Sequence, residues 1–167
     1  MLTFAACSPT ISDKEEVRSQ EELEMLLHAW SKTDSLAVPE IAVKYDSALK
    51  EYLENYPGNP THENFLFMAA RNDVNSKNYA AAAEKYSRFY ALYPTSRSNA
   101  DAVFGAAFLY NNEVQNMDSA RKYYEIFLLT FPDHLLYDAA QAELEHLGES
   151  PEEMLNKLQQ SLDSQSN

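Results

Sequence analysis

Apolar side chains recur at helical spacing along most of the chain, in blocks that polar or proline-containing links interrupt. The first block runs from Ser19 to Ser31, where Leu23, Leu26, Leu27 and Trp30 form one face and Ser19 with Glu22 reads as a capping box. A second starts at Pro39, a residue suited to a first helical turn, and carries Ile41, Tyr45, Leu49, Tyr52 and Tyr56 to about Asn55. Pro57-Gly58-Asn59-Pro60 breaks the chain, and a third helix opens at Pro60 or Thr61 with Phe65, Met68, Ala69 and Asn72 on one face. After the turn at 75–78, a fourth runs from Tyr79 to Tyr93. The fifth spans Asn99 to Asn112, and the sixth Asp118 to Phe131. Asp133 suits the N-cap of a seventh, which Leu147-Gly148 ends, and Ser150-Pro151 starts an eighth with Met154, Leu155, Leu158 and Leu162.

Three of these helices end the same way, in Tyr56-Pro57, Tyr93-Pro94 and Phe131-Pro132, and the three prolines are almost evenly spaced. Counting back from each proline, position −5 holds Tyr52, Phe89 and Phe127, position −8 holds Leu49, Tyr86 and Tyr124, and position −12 holds Tyr45, Ala82 and Ala120. Those offsets place the three side chains on one helical face. A period of this length signals an array in which no unit buries its apolar face alone. The aromatic stripe is therefore expected to be packing rather than a cofactor box. Alanines 69, 70, 82, 83, 106, 107 and 120 would let paired helices approach closely while the rings fill the gaps. The predicted fold is all-α: a solenoid of antiparallel helix pairs with about eight helices.

The pattern resembles a tetratricopeptide array. The small–aromatic–proline signature in the second helix of each pair is met by Ala82, Tyr86 and Pro94, and again by Ala120, Tyr124 and Pro132. The lengthened period over residues 39 to 148 is similar to bacterial envelope repeat proteins, the BamD-type lipoproteins and the Tol–Pal-associated repeat protein. The start of the chain agrees with that resemblance. "MLTFAACS" resembles a lipobox, which implies cleavage before Cys7 and lipidation of that cysteine. Residues 1–6 then read as the remnant of a signal peptide, 7–18 as a lipidated cysteine with a flexible tether, and 19–167 as the repeat domain. Two or more acyl chains would hold such a protein firmly at a membrane.

Composition narrows the chemistry. With 26 acidic and 13 basic residues the net charge is −13, and no basic patch exists to offset it, so nucleic acid is not an expected partner. A single cysteine excludes an intrachain disulfide and CxxC motifs. Histidines 28, 62, 134 and 146 show no HExxH spacing, and His62 and His134 read as exposed residues at helix starts. There is no GxSxG elbow and no phosphate-binding glycine loop, and the chain has only three glycines. No enzyme activity, cofactor, metal or small-molecule substrate is expected.

What remains is surface. By the resemblance, the first helix of each pair lines a groove for a partner segment. The corresponding positions are Asn64, Phe67 and Arg71 on the third helix, and Asp101, Phe104 and Phe108 on the fifth, with Asn111 and Asn112 able to bond a peptide backbone. The phenylalanines have a competing reading as core. The implied protein is a non-enzymatic, lipid-anchored scaffold for envelope proteins, at the outer membrane and facing the periplasm. A glycan- or peptidoglycan-binding lipoprotein with exposed tyrosines, and a soluble cytosolic adaptor, are the alternatives.

Overall fold

The computed structural model describes residues 13–32, 38–56, 61–149 and 151–165. Eight helices follow one another: α1 (Asp13–Ser31), α2 (Val38–Asn55), α3 (His62–Asn75), α4 (Tyr79–Leu92), α5 (Asn99–Asn112), α6 (Met117–Thr130), α7 (Tyr137–Glu145) and α8 (Pro151–Gln165). No strand occurs among the described residues. Residues 1–6, Cys7, the break at Pro57 to Pro60 and the expected cap Ser150 lie outside them.

From α3 to α6 each helix packs against the one before and the one after, and α7 packs against α6, as stacked hairpins require. The α1–α2 hairpin packs internally and against α3. Two apolar clusters result. One runs from Leu23 and Trp30 of α1 through Tyr45 and Tyr52 to Phe89, Ala102 and Ala106. The other joins Ala100, Val103 and Ala107 of α5 to Tyr124 and Phe127 of α6 and Ala140 of α7. Helix α5 serves both, because it is apolar on two faces; that is why its sequence shows almost no amphipathic bias. All seven alanines expected at close helix contacts are fully buried. The described part of α8 adds nothing to either cluster, and its Leu155 and Leu162 are exposed.

The period is written into ring geometry. Phe67 of α3 meets Tyr86 and Phe89 of α4 edge-on at 5.4 and 5.2 Å, and Phe104 of α5 meets Tyr124 and Phe127 of α6 edge-on at 6.0 and 5.4 Å. Phe89–Tyr93 and Phe127–Phe131 are tilted pairs at 5.2 and 5.6 Å, and Tyr52–Tyr56 at the end of α2 is a third at 5.1 Å. The aromatic–proline stop is thus a stack of rings at the end of the second helix. Gly105 lies where two hairpins meet closely: a Cβ there would sit 3.3 Å from the Tyr86 ring.

The links between hairpins repeat as well. Ser96 N–H donates to Tyr93 O and Asn99 N–H to Ser96 O; one period on, His134 N–H donates to Phe131 O and Tyr137 N–H to His134 O. Ser96 Oγ accepts from Ser98 N–H at 3.2 Å, and His134 Nδ1 accepts from Leu136 N–H at 3.2 Å. The two short links therefore use different side chains for one task. Inside the hairpins, Lys77 (φ 60°) follows α3 and Gln115 (φ 57°) follows α5, both left-handed, and Gly148 (φ 81°) takes that conformation after α7.

Several expectations need correction. Helix α1 begins at Asp13, well before Ser19, so residues 13–18 belong to a helix and not to the tether. Ser19 is no cap: its Oγ donates to Glu15 O at 3.0 Å within the helix. The run Asp13 to Arg18 lacks proline and glycine, and the part-buried Gln20 just after it donates to Tyr52 Oη at 2.6 Å, which ties that end of the helix to α2. Helix α7 starts at Tyr137 and not after Asp133, because the repeated turn occupies 131–137. His62 is buried, 3% exposed, with its ring edge-on to Tyr52 at 4.7 Å; burial lowers its pKa, against the field of Glu16. His134 is half-buried, its ring edge-on to Phe127 at 5.3 Å.

Candidate functional site

The expected groove residues share one register. Asn64, Phe67 and Arg71 on α3 recur one repeat later as Asp101, Phe104 and Phe108 on α5. A further repeat along the sequence, the register reaches Ala139, Ala142 and His146, with Asn111 leading to Glu149. Asn64, Arg71, Asp101 and Asn112 are exposed, and Phe108 is 40% exposed. Phe67 and Phe104 are half-buried, held edge-on by the rings of the following helix, so they are as much core as surface. Phe104 and Phe108 lie near-parallel, 6.4 Å apart. The faces of α3 and α5 are adjacent. Burial raises the Tyr86 pKa, the Arg71 cation opposes that shift and the Asp101 carboxylate adds to it.

Between α5 and α7 the face opens into a cleft of about 900 Å³. All four α7-side positions in the register, Ala139, Ala142, His146 and Glu149, line it, opposite Asn111 and Asn112. Where α5 carries Asp101 and Phe104, α7 carries the smaller Ala139 and Ala142, and both line the cleft. Met117 and Gly148 also line the cleft, beside Gln115.

The polar wall is uneven. Asn111 Nδ2 donates to Glu143 Oε2 at 3.0 Å, and Asn112 Nδ2 donates to Phe108 O at 3.1 Å, so both amides expected to meet a peptide backbone are engaged within the chain. Tyr124 has no exposed surface; its hydroxyl sits beside Asn111 and Glu143. Burial raises its pKa above the usual phenol range and the Glu143 carboxylate adds to the shift. Glu149 receives Lys157 Nζ at 2.6 Å and has His146 Nδ1 at 3.3 Å. Those partners, Lys157 first, hold its carboxyl below the ordinary range despite some desolvation.

The sequence reading missed Glu143, His146, Glu149 and Met117. The period carried part of the signal: one more repeat counted from α5 reaches α7 and names Ala139, Ala142, His146 and Glu149.

Among the described residues, no three His, Cys, Asp or Glu side chains gather as they would around a metal ion, and no helix is long and apolar enough to cross a membrane. Of the eleven tyrosines, Tyr45, Tyr52, Tyr86 and Tyr124 are buried and the others are half-buried. The chain matches no protein-family model, and a search of curated proteins finds no match.

Proposed function

We propose that this protein is a non-enzymatic binding scaffold of the tetratricopeptide type, whose face on α3, α5 and α7 holds a segment of a partner protein. The observation that carries the reading is the register of that face: one set of positions on three successive first helices, exposed or half-buried, widening into the cleft between α5 and α7. Preorganised helices present such a surface with little ordering cost on binding. The resemblance of the first residues to a lipobox adds a membrane anchor at Cys7, and so an envelope location and envelope proteins as partners.

Site-specific photocrosslinking in cells tests the scaffold. A photoreactive residue at Asn112 or Phe108 is expected to capture a discrete protein partner, and one at Glu125 on α6 is not. Equal capture at both positions, or none at the groove, would overturn the reading. Labelling with a radioactive fatty acid tests the anchor separately, with incorporation expected in the natural chain and lost in Cys7→Ser; an unlabelled natural chain would favour the cytosolic adaptor.

A further inference from the structure

We propose that the cleft between α5 and α7 recognises a cationic side chain, arginine or lysine, projecting from an extended segment of the partner, with Glu143 as the receiving carboxylate. This rests on the groove reading and names the chemistry of what the groove holds.

Comparison of equivalent positions carries the inference. Tyr86 packs against Gly105, a position with no side chain. In the next hairpin, one repeat on, the tyrosine is Tyr124 and the position facing it is Glu143. A carboxylate thus stands in the cleft wall where the preceding unit has nothing. It is half-buried, and its neighbours are neutral: the Asn111 amide at 3.0 Å and the Tyr124 hydroxyl. Glu149 in the same cleft already has Lys157 at 2.6 Å. Among the described residues Glu143 has no such cation, so its charge is the one left to be met from outside. A partly desolvated carboxylate with only neutral partners is a strong acceptor for a guanidinium or ammonium group.

The buried Tyr124 hydroxyl lies beside the same carboxylate, behind the cleft wall. The rest of the cleft fits a long basic side chain. Met117, Ala139 and Ala142 offer apolar surface to its methylene stem, and Asn112 and Gln115 rim the opening. The net charge of −13 adds a field of the matching sign.

The test uses the full chain and an array of decapeptides in matched sets that differ only at the central residue, Arg, Lys, Ala or Glu. Peptides centred on Arg or Lys are expected to bind about tenfold more tightly than their Ala partners, with Glu weakest. Glu143→Gln is expected to abolish that preference. Glu125→Gln, which removes the same charge from the exposed surface of α6, is expected to leave it intact. Asn112→Arg, at an exposed position on the rim, is expected to block Arg-centred peptides by supplying a competing cation without disturbing the core. A preference that survives Glu143→Gln, or falls equally in Glu125→Gln, would overturn the site in favour of diffuse charge attraction. Binding of all four peptides alike would overturn the site while the scaffold stands. No binding by any peptide would count against both.

Discussion

In the α3–α4 hairpin, Asp73 has no exposed surface and the Lys85 ammonium bonds to its carboxylate. In the α5–α6 hairpin the equivalent places belong to Tyr110 and Tyr123. The turns identify them: Asn78 N–H closes on Asp73 O, and Asn116 N–H closes on Tyr110 O, both at 2.8 Å. An ion pair in one hairpin is thus a ring stack in the other, with Tyr110 and Tyr123 nearly parallel at 5.8 Å. Around this difference the two hairpins agree. The rings at 67, 86, 89 and 93 match those at 104, 124, 127 and 131, and the links that follow bond alike. Both variable pairs also reach back to an earlier helix. Lys85 bonds Asp46 of α2 at 3.0 Å, and the Tyr110 hydroxyl sits beside Ser87 of α4. The shared rings set the stack, and the pair beside the turn is free to change its chemistry. In the second hairpin the residue after that position, Asn111, reaches forward to Glu143 and becomes a wall of the cleft.

The sharpest way to break this comparison is to remove the rings it holds constant. Phe89→Ala and Phe127→Ala each delete a fully buried ring at the junction of two helices and are each expected to cost about 3–5 kcal/mol in urea unfolding. Similar losses support two equivalent hairpins. A loss at one site less than half that at the other would show that the repeat is geometric but not energetic.

Next in size is the buried pair. Lys85→Met leaves the Asp73 carboxylate without its cation, and removing one member of a buried pair costs about 3 kcal/mol. The double variant Asp73→Asn, Lys85→Met removes both charges, as the second hairpin does, and keeps an oxygen for the Asn78 amide that now bonds Asp73 at 3.1 Å. It is expected to recover most of that loss, since replacing both members of a buried pair is often close to neutral. A double variant no more stable than Lys85→Met would show that the first hairpin depends on the lysine itself, through its reach to Asp46.

The pair also sets a pH dependence. Burial raises the Asp73 pKa above the ordinary aspartate value, opposed by Lys85 and by the Asn78 amide. The folded state therefore holds this proton to higher pH than the unfolded chain does. The stabilising contribution of the protonated form is complete below the unfolded pKa and is lost as pH rises through the folded one. Against the background of the other carboxylates, Asp73→Asn is expected to remove a decline in stability that begins at the ordinary aspartate pKa and extends upward. Urea titrations at several pH values read the difference between the natural chain and Asp73→Asn; parallel curves would mean that Lys85 keeps Asp73 ionised throughout.

Much of this architecture is legible in the sequence, because rings and prolines at fixed offsets leave a mark that needs no knowledge of tertiary contacts. Helix α7 shows where a local signal misleads. Asp133 reads as a cap, yet the period already places the start: Asn99 opens α5, and Tyr137 stands one repeat later. Local chemistry misleads at Ser19 too, where a good capping pair sits inside a helix that good helix formers extend to Asp13. The Asp73–Lys85 pair cannot be read from the sequence. Its members sit on different helices, and nothing in the local pattern shows that Asp73 is buried. For the groove, α3 and α5 are legible through their exposed register. The cleft itself is not, because it is defined by small side chains on α7, and absent bulk leaves no motif.

The smallest expected effect concerns the turns inside the hairpins. Lys77 and Gln115 both adopt left-handed φ, which crowds a Cβ against the backbone, whereas the turn after α7 uses Gly148. The Asn78 N–H to Asp73 O and Asn116 N–H to Tyr110 O bonds close the two turns, the second turn being one residue longer. Glycine at either site relieves the crowding but adds freedom to the unfolded chain, and the two effects oppose each other. Lys77→Gly and Gln115→Gly are each expected to stabilise the fold by about 0.5 kcal/mol, the difference between those terms. Thermal unfolding of the two variants compares the hairpins directly. Equal gains would show that the left-handed residue costs the same in both turns although the second is one residue longer. A loss at Lys77 beside a gain at Gln115 would show that the lysine side chain does something in the first hairpin that the glutamine does not do in the second.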